Sequence, residues 1–273
     1  MHILPDEHLR KRPVGTAISY TWAALDGNWK NSAIFAGLLL VLSLFQFVPV
    51  VGIVFAVLQT LLLYTLSYWI VDRVRQNDGI EGFRKDVEAA SAKEMLSAFA
   101  APASGLYAGF ILLGFLVLLA TALIFWLTGG GAAVEMVRTQ TTQPDLSPEE
   151  LTAFYLQLLG LGTPALLFFL IVTSFFGYLW PLVYGYALLQ RTFSDALNAI
   201  FMLFSTRFWR ASFTLAYLKT VSLWMVVVFG VMLLVSLCSA VILLLPVAIF
   251  LTVWLAYFSA IVAVATYNLS DDI

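Results

Sequence analysis

The sequence predicts an all-α polytopic membrane protein with six transmembrane helices, and three observations predict it. Hydrophobic residues fill 62% of the 273 positions and charged residues only 11%, against about 25% charged in an ordinary soluble domain. Two uncharged stretches, Ser32 to Val71 (40 residues) and Thr220 to Asn268 (49 residues), are each too long for one crossing, because about 20 apolar residues traverse about 30 Å of hydrocarbon. Thirteen of the 14 Lys and Arg residues fall in alternate connections, the bias that orients a multi-span chain.

The elements follow in order. The first 31 residues are mostly polar and lack the short apolar core and cleavage site of a secretory signal. Ser32–Val71 divides at FVPVVG, where Pro49 and Gly52 favour a turn, giving spans 32–48 and 52–71. The third span is 104–128 and the fourth 163–190. The last stretch divides between Ser239 and Pro246 into spans 220–239 and 246–267. The chain 1–273 reads as one membrane domain with an extracytoplasmic loop at 129–162. Arg10, Lys11, Arg12 and Lys30 precede the first span, Arg73, Arg75, Arg84, Lys85 and Lys93 follow the second, and Arg191, Arg207, Arg210 and Lys219 follow the fourth. Arg138 alone lies elsewhere. Both termini are therefore expected in the cytoplasm.

The chain writes one junction twice: NWKNSAIFAG at Asn28–Gly37 and FWRASFTLAY at Phe208–Tyr217. Upstream of the first, Val14, Ile18, Trp22, Leu25 and Trp29 recur at helical period; upstream of the second, Phe193, Leu197, Ile200, Phe204 and Phe208 do the same. Such helices lie in the membrane plane, the first over 14–31. Trp22, Trp29, Lys30, Trp209 and Arg210 are the predicted interface anchors, with Trp in the headgroup layer and the cations at lipid phosphates. Ser32 and Ser212 are expected to cap the crossing helices. SGLYAG at Ser104–Gly109 resembles SAIFAG at Ser32–Gly37, and Phe83, Val87, Ala90 and Met95 give a ragged upstream stripe. Two readings stand: three parallel repeats of in-plane helix plus hairpin, entering near Val14, Phe83 and Ser194, or coincidence in an alphabet dominated by Ala, Leu, Phe and Gly.

In the external loop, Gly129 to Gly131 end the third span, and LSPEELTAFYLQLL predicts a short helix with Ser147 as N-cap and Pro148 in its first turn. In the fourth span Pro181 removes a backbone donor, so a kink is expected. Thr173, Ser174, Tyr178 and Tyr184 are candidates to line a polar cavity beside it, or to bond neighbouring helices. Gly105 and Gly109 allow a close helix crossing.

The six spans contain no Asp, Glu, Lys, Arg or His. A charge at mid-bilayer costs about 2.5–3.5 kcal/mol on insertion scales and persists mainly where function needs it. Proton pumping, voltage sensing and coupling through a buried carboxylate are therefore disfavoured. Cys238 is the only cysteine and excludes a disulfide framework. His2 and His8 lie in an N-terminal tail read as a flexible arm, and no nucleophile–base pairing, phosphate loop or zinc spacing is present. A net charge of −2 with no basic run argues against a nucleic-acid partner. The connection after Asp72 mixes both signs and reads as a solvated helical face or a docking surface for a soluble protein.

The aromatic–basic pair Trp29-Lys30, the turn from Pro49 to Gly52 and the pair Asp72-Arg73 cover the first third of the chain. Together they resemble six-span bacterial inner-membrane families of unsettled role, related to the membrane domain attached to some glycerophosphodiester phosphodiesterases. The resemblance implies a bacterial inner-membrane protein. It brings no catalytic residues, since that domain is not the catalytic part.

The expected protein is thus non-enzymatic and without cofactor. It has membrane lipids as partners and acts as an accessory, scaffold or assembly subunit alongside other membrane or soluble proteins. The alternative is a channel or permease for an apolar or amphipathic solute such as a lipid.

Overall fold

A computed structural model describes residues 4–46, 48–141 and 147–271. His2, Phe47 of the first hairpin turn and 142–146 of the external loop lie outside the described residues. Among the described residues every regular element is helical. The helices are α1 (Glu7–Lys11), α2 (Pro13–Gly27), α3 (Trp29–Phe45), α4 (Val51–Gln76), α5 (Ile80–Ala89), α6 (Ala92–Ser97), α7 (Ala100–Phe125), α8 (Gly131–Thr141), α9 (Pro148–Ala187), α10 (Phe193–Ala199), α11 (Thr206–Ser212), α12 (Leu215–Ser239) and α13 (Leu245–Asp271). Five helices are long and apolar enough to cross a bilayer, and six if α2 and α3, bent by 92° to one another, supply one crossing. At 17 residues α3 is near the shortest helix that spans hydrocarbon. A multi-pass all-α membrane protein is the architecture.

The chain forms two compact units, one of Met1–Phe110 with Leu179–Ile273 and one of Ile111–Tyr178, where the sequence reads as a single domain. In the larger unit α13 is the centre, packed against α12, α4, α2 and α3. Tyr257, Phe258 and every residue from Ala260 to Ala265 are buried. The alternating alanines keep this helix narrow enough for neighbours on all sides. By contrast α12 exposes Leu215, Val226, Phe229 and Leu237, side chains for which hydrocarbon is the compatible solvent. A shorter helix or helices precede a packed pair of long helices twice, α2 before α3 and α4, and α10 and α11 before α12 and α13, while α5 and α6 precede α7.

The N-terminal tail is not a loose arm. Leu4 and Leu9 are fully buried. Asp6 caps α1 by accepting from the His8 amide at 2.7 Å, and Tyr20 Oη donates to the same carboxylate at 2.6 Å. Burial, with Asp6 adjoining, pushes the Tyr20 phenol well above its usual range. The first hairpin turns where proline and glycine place it. Val50 takes the left-handed φ of 65°, and a Cβ on Gly52 would stand 2.2 Å from the Gln46 carbonyl oxygen.

The smaller unit revises the external loop. The predicted short helix and fourth span are one helix, α9, of 40 residues. The reason is phase. Phe154, Leu158, Leu161, Ala165, Phe168 and Val172 are its less exposed positions, spaced three or four apart throughout, so one stripe runs from the loop segment into the span and no side-chain register changes at Thr163. Pro181 sits within the same helical run. After α7 the chain passes through a π-turn, Trp126–Gly130, in which Gly129 has φ 146°. L side chains avoid that region, and a Cβ there would also lie 2.6 Å from Leu161 Cδ2. The glycine run thus serves as one sharp joint before α8, rather than as a flexible end.

Candidate functional site: an interfacial elbow and its ionic brace

Helix α2 has two faces. Pro13, Val14, Ala17, Tyr20, Thr21, Ala24 and Leu25 are buried at a 3.6-residue period, and this face packs on α13 and α5. The predicted stripe is rotated from it. Only Val14 and Leu25 are shared, Ile18 is half-buried, and Trp22 and Trp29 are 52% and 64% exposed. Ser19 and Asp26 are exposed on the same side as Trp22, three residues before it and four after it. A buried face and, opposite it, an exposed face that carries Trp22 between Ser19 and Asp26 make this an amphipathic helix, the kind that suits a membrane surface. Trp22 also stands 6.3 Å from the Phe250 ring and 6.4 Å from Trp254, which stacks on Phe258 at 5.0 Å. Lys30 and Arg210 are exposed and Trp209 is half-buried.

The residue that makes the elbow is Asn28. It ends α2 and precedes α3, and its side-chain amide donates to the Val87 carbonyl at 2.7 Å and the Ala90 carbonyl at 3.1 Å. Asn31 Nδ2 adds a bond to Ala90 at 2.9 Å. These carbonyls belong to the last turn and C-cap of α5, where backbone donors run out; Val87 accepts one further bond, from the Ala90 amide at 3.2 Å. Two asparagines flanking the Trp-Lys pair are therefore the missed signal. The serines do not cap: Ser32 lies buried within the first turn of α3, and Ser212 Oγ donates back to the Trp209 carbonyl at 2.8 Å.

The second junction bends elsewhere because its chemistry differs. Phe208 and Ala211 stand where the first copy has asparagines. The chain continues through α11, breaks at Phe213, and restarts α12 with Thr214 Oγ1 accepting from the Tyr217 amide at 3.3 Å. Its upstream stripe is interrupted too. A 3₁₀ turn at Ile200–Phe204 and the extended Ser205 shift the phase, so Ile200 and Phe208 are buried while Phe193 and Phe204 are exposed.

An ionic brace holds the elbow to the bundle. Arg73 Nη1 donates to Asp86 at 2.9 Å, and its other terminal nitrogen pairs with Glu94. Asn77 Nδ2 also donates to Asp86, at 3.2 Å. Asp72 pairs with Arg191, whose guanidinium lies 5.4 Å from the Phe99 ring centre. Arg84 pairs with Asp26 at 2.6 Å. The predicted solvated face is thus largely committed to internal pairs, and Phe83 beneath it is buried against Tyr20 at 4.8 Å.

The five residues predicted for a cavity or kink all lie on α9. Ser174 and Tyr178 share a shallow groove on one face of α9 with Leu170, Ile171 and Phe175. Thr173 Oγ1 turns back to the Phe169 carbonyl at 2.7 Å. Pro181 and Tyr184 lie in the larger unit, where Tyr184 is buried and stacks on Trp180 at 5.4 Å.

Replacing Asn28 by Ala leaves both carbonyls buried without that donor, so a loss of about 1–3 kcal/mol is expected. The check is thermal unfolding in mild detergent. Asn28→Asp, which cannot donate, is expected to lose at least as much. Comparison of the chain with protein-family models, with curated proteins and with solved structures finds no match in any of the three.

Proposed function

We propose that this protein is a non-enzymatic integral membrane subunit that scaffolds or assists the assembly of a larger membrane complex, in a bacterial inner membrane with both termini cytoplasmic. The observation that carries the reading is the length and surface of α9. Its 40 residues make about 60 Å of helix. Tilted by about 40°, the steep end of the usual range, such a helix still rises about 46 Å, well beyond the hydrocarbon thickness. Its first turns nevertheless expose Leu151, Tyr155, Leu156 and Leu159. Apolar side chains held beyond the lipid core suit burial against another subunit. The test is extraction in mild detergent followed by co-purification. A discrete partner is expected with the wild type and its loss with Leu156→Glu plus Leu159→Glu. A wild-type chain that emerges alone as a monomer from gentle extraction would overturn the reading.

The groove of about 480 Å³ at Ser174 and Tyr178 favours a second reading, passage of an amphipathic solute. Under it, Tyr178→Ala changes flux in reconstituted vesicles while the protein stays folded; unchanged flux removes it.

A further inference from the structure

The beginning of α2, the second turn of α12 and the end of α13 enclose a cavity of about 500 Å³. Its polar wall holds Arg10, Lys11, Arg12 and Lys219. Four cations around one cavity repel one another; among the described residues Lys11 pairs with Glu7 at 2.7 Å, and no ion pair joins Arg10, Arg12 or Lys219 to an acid. The Arg10 Nε–H is buried and meets no acceptor there. The lining also includes the apolar side chains of Val14, Leu223 and Leu269. Lys219 and Leu223 are one helical turn apart on α12, so cationic and apolar walls are stacked along the bundle axis by about 6 Å. Leu223 is also half exposed on the outer surface of α12, which opens the apolar side toward lipid.

We infer that this cavity binds the headgroup of an anionic phospholipid, with the phosphate between Arg12 and Lys219 and the first acyl carbons along Leu223. Charge complementarity calls for an anion, and the apolar wall one turn deeper fits a chain attached to it. A free phosphate leaves that wall unused. Basic pockets between membrane helices at headgroup depth are suited to such lipids. The site is independent of the partner surface on α9, and a lipid held there would tie the in-plane helix to the last hairpin.

The test uses the full chain purified in mild detergent, with phosphatidylglycerol, phosphatidylcholine and inorganic phosphate as probes. Native mass spectrometry counts retained lipid and thermal unfolding reads stabilisation. A saturable phosphatidylglycerol adduct with a raised Tm is expected, and neither other probe should reproduce it. Arg12→Ala with Lys219→Ala, both at exposed positions, should weaken binding about thirty-fold. The charge-keeping pair Arg12→Lys with Lys219→Arg should retain it, which separates lost charge from lost fold. Equal adducts in wild type and the alanine pair, or equal stabilisation by phosphatidylcholine or by phosphate alone, would overturn the assignment.

Discussion

Gly185→Ala is expected to lower the stability of the larger unit by about 3 kcal/mol, at the upper end of what overpacking costs. A Cβ at Gly185 would stand 2.1 Å from the Ala263 carbonyl oxygen and 2.6 Å from its carbon, closer than any non-bonded contact allows. The obstacle is backbone of the central helix α13, so no side-chain rotation relieves it. Helix α9 must move away, and the rings packed at the crossing lose contact: Tyr186 and Phe208 lie 5.4 and 5.9 Å from Tyr267. In a membrane, helices associate through such close fit rather than through exclusion of water. Gly177→Ala on the same helix is the control, because nothing lies within 4 Å of its added methyl. Unfolding of both variants by denaturing detergent checks the contrast. Equal midpoints for Gly185→Ala and wild type would refute the close crossing.

Arg73→Ala is expected to cost about 2–3 kcal/mol. The Arg73 side chain is only 15% exposed and holds two carboxylates, Asp86 and Glu94. Its removal leaves two like charges facing each other at the joint of α4, α5 and α6, with only Asn77 still donating to Asp86. Arg73→Lys keeps the charge but loses the planar fork that reaches both acids, so an intermediate loss is expected. Arg84→Ala is the contrast. That pair with Asp26 is 52% and 68% exposed, and exposed ion pairs contribute about 0–1 kcal/mol. Thermal unfolding of the three variants, with an Arg73→Ala and Glu94→Gln double-mutant cycle, reads the difference.

Much of this architecture was legible in the residues. The two long uncharged stretches each became a hairpin, α3 with α4 and α12 with α13. The segment upstream of Trp29 is a helix bent by 92° to the one that follows, although its buried face is rotated from the apolar period. The basic connections also converge: Arg73, Arg84 and Arg191 meet in the brace, while Arg10, Arg12 and Lys219 share one cavity. Other features escaped because short-range pattern does not contain them. The role of Asn28 depends on carbonyls near Val87, roughly 60 positions away. The second stripe is helical in spacing yet Ser205 interrupts it, since tertiary packing overrides a period of only five apolar residues. The unity of α9 was available in the phase of Phe154, Leu158, Leu161 and Ala165, but Gly160, Gly162 and Pro164 suggest a boundary at that point.

We propose that the chain crosses a bilayer six times, with Arg84 in the cytoplasm and Arg138 on the opposite side. The most direct measurement places single cysteines at Arg84 and Arg138, with Cys238 changed to Ser, and labels intact cells and permeabilised cells with a membrane-impermeant thiol reagent. The account predicts that the residue-138 cysteine reacts in intact cells and the residue-84 cysteine only after permeabilisation. Labelling of both from the same compartment would contradict it.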